Sequence, residues 1–147
     1  MSTPANTARP LAPEDFIADP QPPRPAPRLR PITIVIPVLN EGLVIDALAS
    51  RLVSVVGALG NAFDVVFVDD GSTDGTLEAL RRLNARDERF KAVSLSRNFG
   101  KEIAVAAGLK HATGDAVIIM DGDLQHPPET IRRFVELWDE GYDIVYG

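Results

Sequence analysis

The sequence predicts an α/β fold, a mostly parallel sheet with helices on both faces, and three observations predict it. Short apolar runs at 32–36, 65–68, 92–95, 116–120 and 143–146 alternate with stretches whose apolar residues recur at helical spacing. The connections between them are short, which suits a parallel sheet built with right-handed crossovers. Each conspicuous polar cluster follows a strand run: PVLNE, DDGSTDG, SRNFGK and DGDLQH. In open α/β sheets ligands bind beyond the carboxyl ends of the strands, so such a sheet would gather all four clusters at one rim.

The elements follow in order. Ile32 to Ile36 is an apolar, β-branched run that Pro37 stops. A helix over 43–56 carries Ile45, Leu48, Leu52 and Val55 on one stripe, with Asn40 as its N-cap, Glu41 near its positive end, and Gly57 and Gly60 at its finish. Val65 to Val68 is the second strand. The helix after it, about 75–84, places Leu77, Leu80 and Leu83 together, capped by Asp74 or Ser72. Ala92 to Leu95 is the third strand, and the helix over 101–111 is rich enough in alanine to lie close on a sheet. Ala116 to Met120 reads as a strand buried on both faces. Pro127 and Pro128 suit the first turn of the next helix. Ile131, Phe134, Val135 and Trp138 form its stripe, Gly141 ends it, and 143–146 begins a fifth strand.

The first thirty-one residues are different. Nine of the 12 prolines fall there, without apolar periodicity, so 1–31 reads as a disordered arm and 32–147 as the folded domain. The arm lacks the apolar centre of a signal peptide. No stretch reaches the roughly 18 apolar residues that span a bilayer. With no cysteine, disulfides and thiolate metal sites are excluded, which suits a reducing compartment. Four arginines and three carboxylates give the arm +1, which leaves -7 of the net -6 on the rest. A domain so acidic is a poor partner for nucleic acid and a better one for a cation.

The chemistry concentrates in AVIIMDGDLQHPPE, where Asp121 and Asp123 stand at a strand end with Gly122 between them. Two hard oxygen ligands this close can share one Mg²⁺ or Mn²⁺, which would also hold phosphate oxygens. Alternatively the pair is a polar turn before a proline-started helix. A phosphatase of the haloacid-dehalogenase kind also uses such a pair, the first aspartate attacking phosphorus. That family has its DxD after the opening strand, with Thr or Val where Gln125 stands here. His126 reads as a helix-start or rim residue and His111 as a helix-end cation.

Asp69 and Asp70 belong either to an Asx-rich turn that caps a helix or to a carboxylate site for a base or ribose. A calcium loop from Asp70 to Arg81 is rejected. Gly75 sits at its sixth position, but Arg81 replaces the bidentate glutamate at the twelfth. Arg97 and Lys101 are either surface charges or phosphate contacts on a strand–helix connection.

The ordered set IVIPVLNEG, VFVDDGSTDGT and SRNFGKEIAVAAGLKHATGDAVIIMDGDLQHPPE resembles the family 2 glycosyltransferases of Rossmann-like GT-A fold. The likeness is strongest to the polyprenyl-phosphate sugar transferases, such as dolichyl-phosphate mannose synthases and bactoprenol glucosyltransferases, and covers about 31–147. The resemblance implies that Pro37, Asn40 and Glu41 line a nucleotide pocket and that Asp69 and Asp70 lie by the base and ribose. It sets Arg97 and Lys101 facing the nucleotide-sugar. Asp121 and Asp123 would hold the metal against the diphosphate, joined by Gln125.

Members of this family run well past this length. The resemblance therefore implies a donor-binding half, cut after the fifth strand, with the catalytic base and the membrane contact beyond Gly147. The implied activity is inverting, metal-dependent transfer of sugar from a UDP- or GDP-sugar to an acceptor such as a polyprenyl phosphate, in the cytoplasm or at the cytoplasmic face of a membrane. A nucleotide- and metal-binding module without transfer is the alternative.

Overall fold

A computed structural model describes residues 17–18, 29–125 and 127–146. Most of the expected arm and His126 lie outside them. The elements are β1 (Ile17–Ala18), β2 (Ile32–Val38), α1 (Ile45–Leu59), β3 (Phe63–Asp69), α2 (Thr76–Arg86), β4 (Phe90–Ser94), α3 (Lys101–Lys110), β5 (Ala116–Ile119), α4 (Thr130–Asp139) and β6 (Val145–Tyr146). The chain falls into two compact units. One is 27–132; of the described residues, the other holds 17–18 and 133–146.

The first unit is built on a four-stranded parallel sheet in the order β4-β3-β2-β5. β2 is followed by β3 on one side, and the chain returns through α3 to place β5 on the other side of β2. The strand order therefore reverses between β2 and β5, the switch point at which doubly wound sheets open a ligand crevice. Right-handed crossovers place α1 and α2 on one face and α3 on the other.

Alternation along β2 and β3 fills both faces. Val35, Val66 and Val68 meet Ala104 of α3 in one fully buried cluster, with Ala107 and Ala112 packed against it. α3 comes this close because Gly108 faces Val35; a Cβ there would lie 2.4 Å from Val35 Cγ1. On the other face Phe67 and Phe90 stack with ring centres 6.3 Å apart. α1 buries Ile45, Leu48, Leu52 and Val56, so the stripe turns to Val56 where Val55 was expected.

Several sequence expectations are corrected. Pro37 does not stop β2, which runs on to Val38. Val35 turns its carbonyl to β5, accepting the Met120 N–H at 3.1 Å, whereas Val38 accepts from Asp70 on the β3 side at 3.0 Å. Pro37 shares the direction of Val35, where β5 pairing has already ended at Ile119, so its missing N–H costs no ladder bond. Asn40 is not the N-cap of α1. That position is Val44, with no side-chain cap bond.

The strand at 116–119 is not buried on both faces. Val117 and Ile119 are 39% and 47% exposed, because β5 is the end strand of this sheet and α3 lies over β2 and β3. The strand at 145–146 is no fifth member of the parallel sheet; it pairs antiparallel with β1. Two-residue strands leave no periodicity from which to assign a partner. No helix of the described residues is long and apolar enough to cross a membrane.

Candidate functional site

The four polar clusters are anchored by the strands that precede them; backbone N–H groups tie the first three together, and an ion pair joins the fourth. The loop after β2 is sewn to the loop after β3. The N–H of Asn40 donates to Ser72 Oγ at 2.9 Å, and Asn40 Oδ1 accepts the Thr73 N–H at 2.9 Å. The Glu41 N–H donates to Thr76 Oγ1 at 2.9 Å and the Gly42 N–H to Asp74 Oδ2 at 3.3 Å. Asn40 holds this arrangement with φ of 54°, a left-handed conformation that asparagine tolerates better than most residues. The Thr76 hydroxyl donates in turn to Asp74 Oδ1, which also accepts the Thr76 N–H at 2.9 Å. Asp74 thus serves the first turn of α2 although Gly75 is its N-cap.

The two aspartates at the end of β3 meet different partners. Asp69 Oδ1 accepts the Ser72 N–H at 3.1 Å, three residues on, and so fastens the turn that follows it. Asp70 turns the other way and accepts from Phe99 and Gly100 in the loop before α3. Both are almost wholly buried.

Between the ends of β2, β3 and β5 lies a cleft of about 410 Å³, entirely within the first unit. Pro37, Val38, Leu39, Glu41, Asp70, Asn98, Gly100, Lys101, Asp121, Gly122 and Asp123 line it. Its volume is that of a small-molecule site. Lys101, the first residue of α3, reaches across and its ammonium pairs with Asp121 Oδ1. Asp123 Oδ1 accepts the Gln125 N–H at 3.0 Å. A larger residue at Gly122 would force Val38 to shift, because a Cβ there would stand 2.7 Å from Val38 Cγ1.

The electrostatics are those of a crowded acidic mouth. Burial pushes the Glu41 carboxyl above its ordinary value, and the negative charges of Asp123 and then Asp74 push it further. Asp74 is held below its ordinary value, first by the Thr76 hydroxyl and then by the Thr76 N–H. Burial would penalise any charge here, so it is the repulsion from Asp123 and Asp74 that favours a cation.

Of the residues singled out in the sequence, the cleft brings together Pro37, Glu41, Asp70, Lys101, Asp121 and Asp123. It does not include Asn40, Asp69, Arg97 or Gln125. Asn40 and Asp69 hold turns. The Arg97 guanidinium lies 4.5 Å over the Phe99 ring. Gln125 is exposed, and its N–H fastens the turn around Asp123. Asn98 and Leu39 are lining residues that the sequence reading left out; the only signal for them was membership of the SRNFGK and PVLNE runs.

Among the described residues no three His, Cys, Asp or Glu side chains gather as a cation cage. Asp121 and Asp123 fit a cation that draws its remaining oxygens from a ligand or water. The excess negative charge sensed at Glu41, and the ammonium already drawn to Asp121, agree with that fit.

Comparison with known proteins bears out the likeness over nearly the same stretch of the chain. The family model for glycosyl transferase family 2 matches residues 33–147. An uncharacterized glycosyltransferase of Bacillus subtilis, YkcC, is 45% identical over 115 residues, covering 78% of this chain and 36% of that protein. An undecaprenyl-phosphate 4-deoxy-4-formamido-L-arabinose transferase of Edwardsiella ictaluri is 44% identical over 115 residues, 78% of this chain and 35% of its own. Among solved structures, the mannosyltransferase PcManGT of Pyrobaculum calidifontis, in complex with GDP-Man and Mn²⁺, superposes with a TM-score of 0.60 at 28% identity, covering 80% of this chain and 34% of that one. Glucosyl-3-phosphoglycerate synthase of Mycobacterium tuberculosis gives 0.57 at 26% identity, over 76% and 42%. The chain spans about a third of the length of the curated relatives it matches.

Proposed function

The chain belongs to glycosyl transferase family 2, and on that premise we propose that its cleft binds the nucleotide-sugar donor of an inverting transferase that glycosylates a polyprenyl phosphate. The observation that carries this reading is the cleft itself. One rim of a parallel sheet presents Asp70, Lys101, Asp121 and Asp123 to a common space of nucleotide size. A carboxylate pair beside an ammonium answers both halves of a metal-bound diphosphate.

In the proposed complex Asp121 and Asp123 hold a Mg²⁺ or Mn²⁺ ion, and a solved relative carries GDP-Man with Mn²⁺. Such an ion, when bound, stabilises negative charge on a departing diphosphate. Lys101 adds a positive charge of its own on the same side and orients the phosphates by charge-assisted hydrogen bonds. Asp70 and the backbone after β2 border the nucleoside end. The named substrate of the Edwardsiella relative supports an undecaprenyl-phosphate acceptor, whose phosphate oxygen is anionic near neutral pH. A lipid-phosphate acceptor of this kind is compatible with a reaction at the cytoplasmic face of a membrane. Membership of the family leaves the phosphatase reading without support.

Calorimetry of the protein with UDP- and GDP-sugars, with and without Mn²⁺, tests the donor site. Metal-dependent binding of one nucleotide is expected; no binding of either under both conditions sinks the proposal. Release of labelled sugar onto a polyprenyl phosphate separates a transferase from a module that only binds.

A further inference from the structure

We propose that Asp70 is a positioning residue, which with Gly71 templates the 97–100 loop and so sets where Lys101 stands over the cleft. The consequence for ligand binding rests on the donor-site reading above; the positioning itself does not.

The carboxylate of Asp70 is only 4% exposed, and each of its oxygens is engaged. Oδ1 accepts the Phe99 N–H at 2.8 Å and Oδ2 the Gly100 N–H at 3.1 Å. Gly100 is the N-cap of α3, with φ of 97°, and Lys101 is the next residue. A buried anion at this end of the helix is favoured by its dipole and by the N–H groups left without intrahelical partners.

A second, independent observation comes from the neighbouring residue. Gly71, at φ of 74°, lies so close beneath the loop that a Cβ would stand 2.3 Å from the Arg97 carbonyl carbon and 2.4 Å from the Asn98 nitrogen. The Asp-Gly step at the end of β3 therefore grips the loop by hydrogen bonds and supports it by contact. The grip passes along a short chain of residues. Asp70 fixes Gly100, Gly100 starts α3, and Lys101 projects from its first turn to the Asp121 carboxylate at the end of β5. A carboxylate after β3 thus governs the position of a cation that serves an anion bound at β5.

The grip is tested first in the unliganded wild-type chain. Couplings across the hydrogen bonds, from the Phe99 and Gly100 amide nitrogens to the Asp70 carboxyl carbon, are expected in NMR spectra; their absence at both amides overturns the proposal. In Asp70→Asn, amide exchange at Phe99 and Gly100 should rise at least about tenfold, the scale of a lost bond to a charged acceptor. Amides of β2 and β3 should keep their protection. Unchanged exchange at Phe99 and Gly100, or an equal rise throughout the sheet, counts against positioning.

The functional link is read from binding of UDP and GDP with Mn²⁺ to Asp70→Asn, Lys101→Ala and the double variant. If Asp70 acts through Lys101, the double variant binds more tightly than the product of the two single losses predicts. Losses that multiply overturn the link. A wild-type protein that binds neither nucleotide defeats the donor-site reading, while the couplings and exchange still decide the positioning.

Discussion

Asp121 and Asp123 sit one residue apart but have different surroundings, since Asp121 meets the Lys101 ammonium while Asp123 accepts the Gln125 N–H. Asp123→Ala should abolish metal-dependent nucleotide binding in calorimetry; unchanged binding removes the metal assignment. Thr76 is the opposite kind of residue, fully buried and outside the cleft. Its hydroxyl accepts the Glu41 N–H and donates to Asp74, so one side chain joins the loops after β2 and β3. Thr76→Val keeps the shape and leaves that N–H without its partner. The expected cost is about 1–3 kcal/mol, read as a lower urea midpoint at constant slope. Gly122→Ala forces a methyl toward Val38 and should cost a similar 1–3 kcal/mol, measured in the same way.

At the scale of elements, the approach of α3 to the sheet depends on small side chains. Gly108→Val adds bulk where even a Cβ would lie 2.4 Å from Val35 Cγ1, so α3 must lift from β2 and β3. A loss of about 1–3 kcal/mol or more is expected in chemical denaturation, together with weaker nucleotide binding, because Lys101 moves with its helix. The tie between α1 and the segment before α4 is of another order. Arg51 Nη2 donates to both carboxylate oxygens of Glu129, at 3.0 and 2.7 Å, but both side chains are substantially exposed. Arg51→Ala should therefore cost less than about 1 kcal/mol. The difference from wild type should shrink in high salt.

For the molecule as a whole, acid stability follows from the shifted carboxylates. Asp74, Asp87 and Glu129 are all held below their ordinary values, by the Thr76 hydroxyl, the Arg89 guanidinium and the Arg51 guanidinium respectively. A depressed folded-state value gives stability that is present above the unfolded value and is lost as pH falls through the folded one. The reference values are 3.8 for the aspartates and 4.5 for Glu129. Glu41 acts in the opposite sense: its raised value means that protonation relieves the fold as pH falls. Three groups oppose one, so the urea midpoint should hold from pH 7 to about pH 5 and decline below about pH 4. Asp74→Asn should flatten part of that decline.

The alternation of apolar runs with helical stripes determined the α/β class, because burial on a sheet face and burial on a helix face impose different periods that a sequence displays openly. The motif order determined the family, and the runs PVLNE, DDGSTDG, SRNFGK and DGDLQH marked the rim of the sheet. The tertiary structure decided which partners each polar residue meets there. Asn40 and Asp69 both accept N–H groups of the loop after β3, while Asp70 faces both the cleft and a loop 29 residues further along the chain. It also decided that Pro37 lies inside β2, that β5 is exposed on one side, and that β6 pairs with β1. The reason is physical. Periodicity records what a residue buries, whereas a carboxylate's role depends on which N–H group reaches it from elsewhere in the chain, and only folding brings that donor within 3 Å.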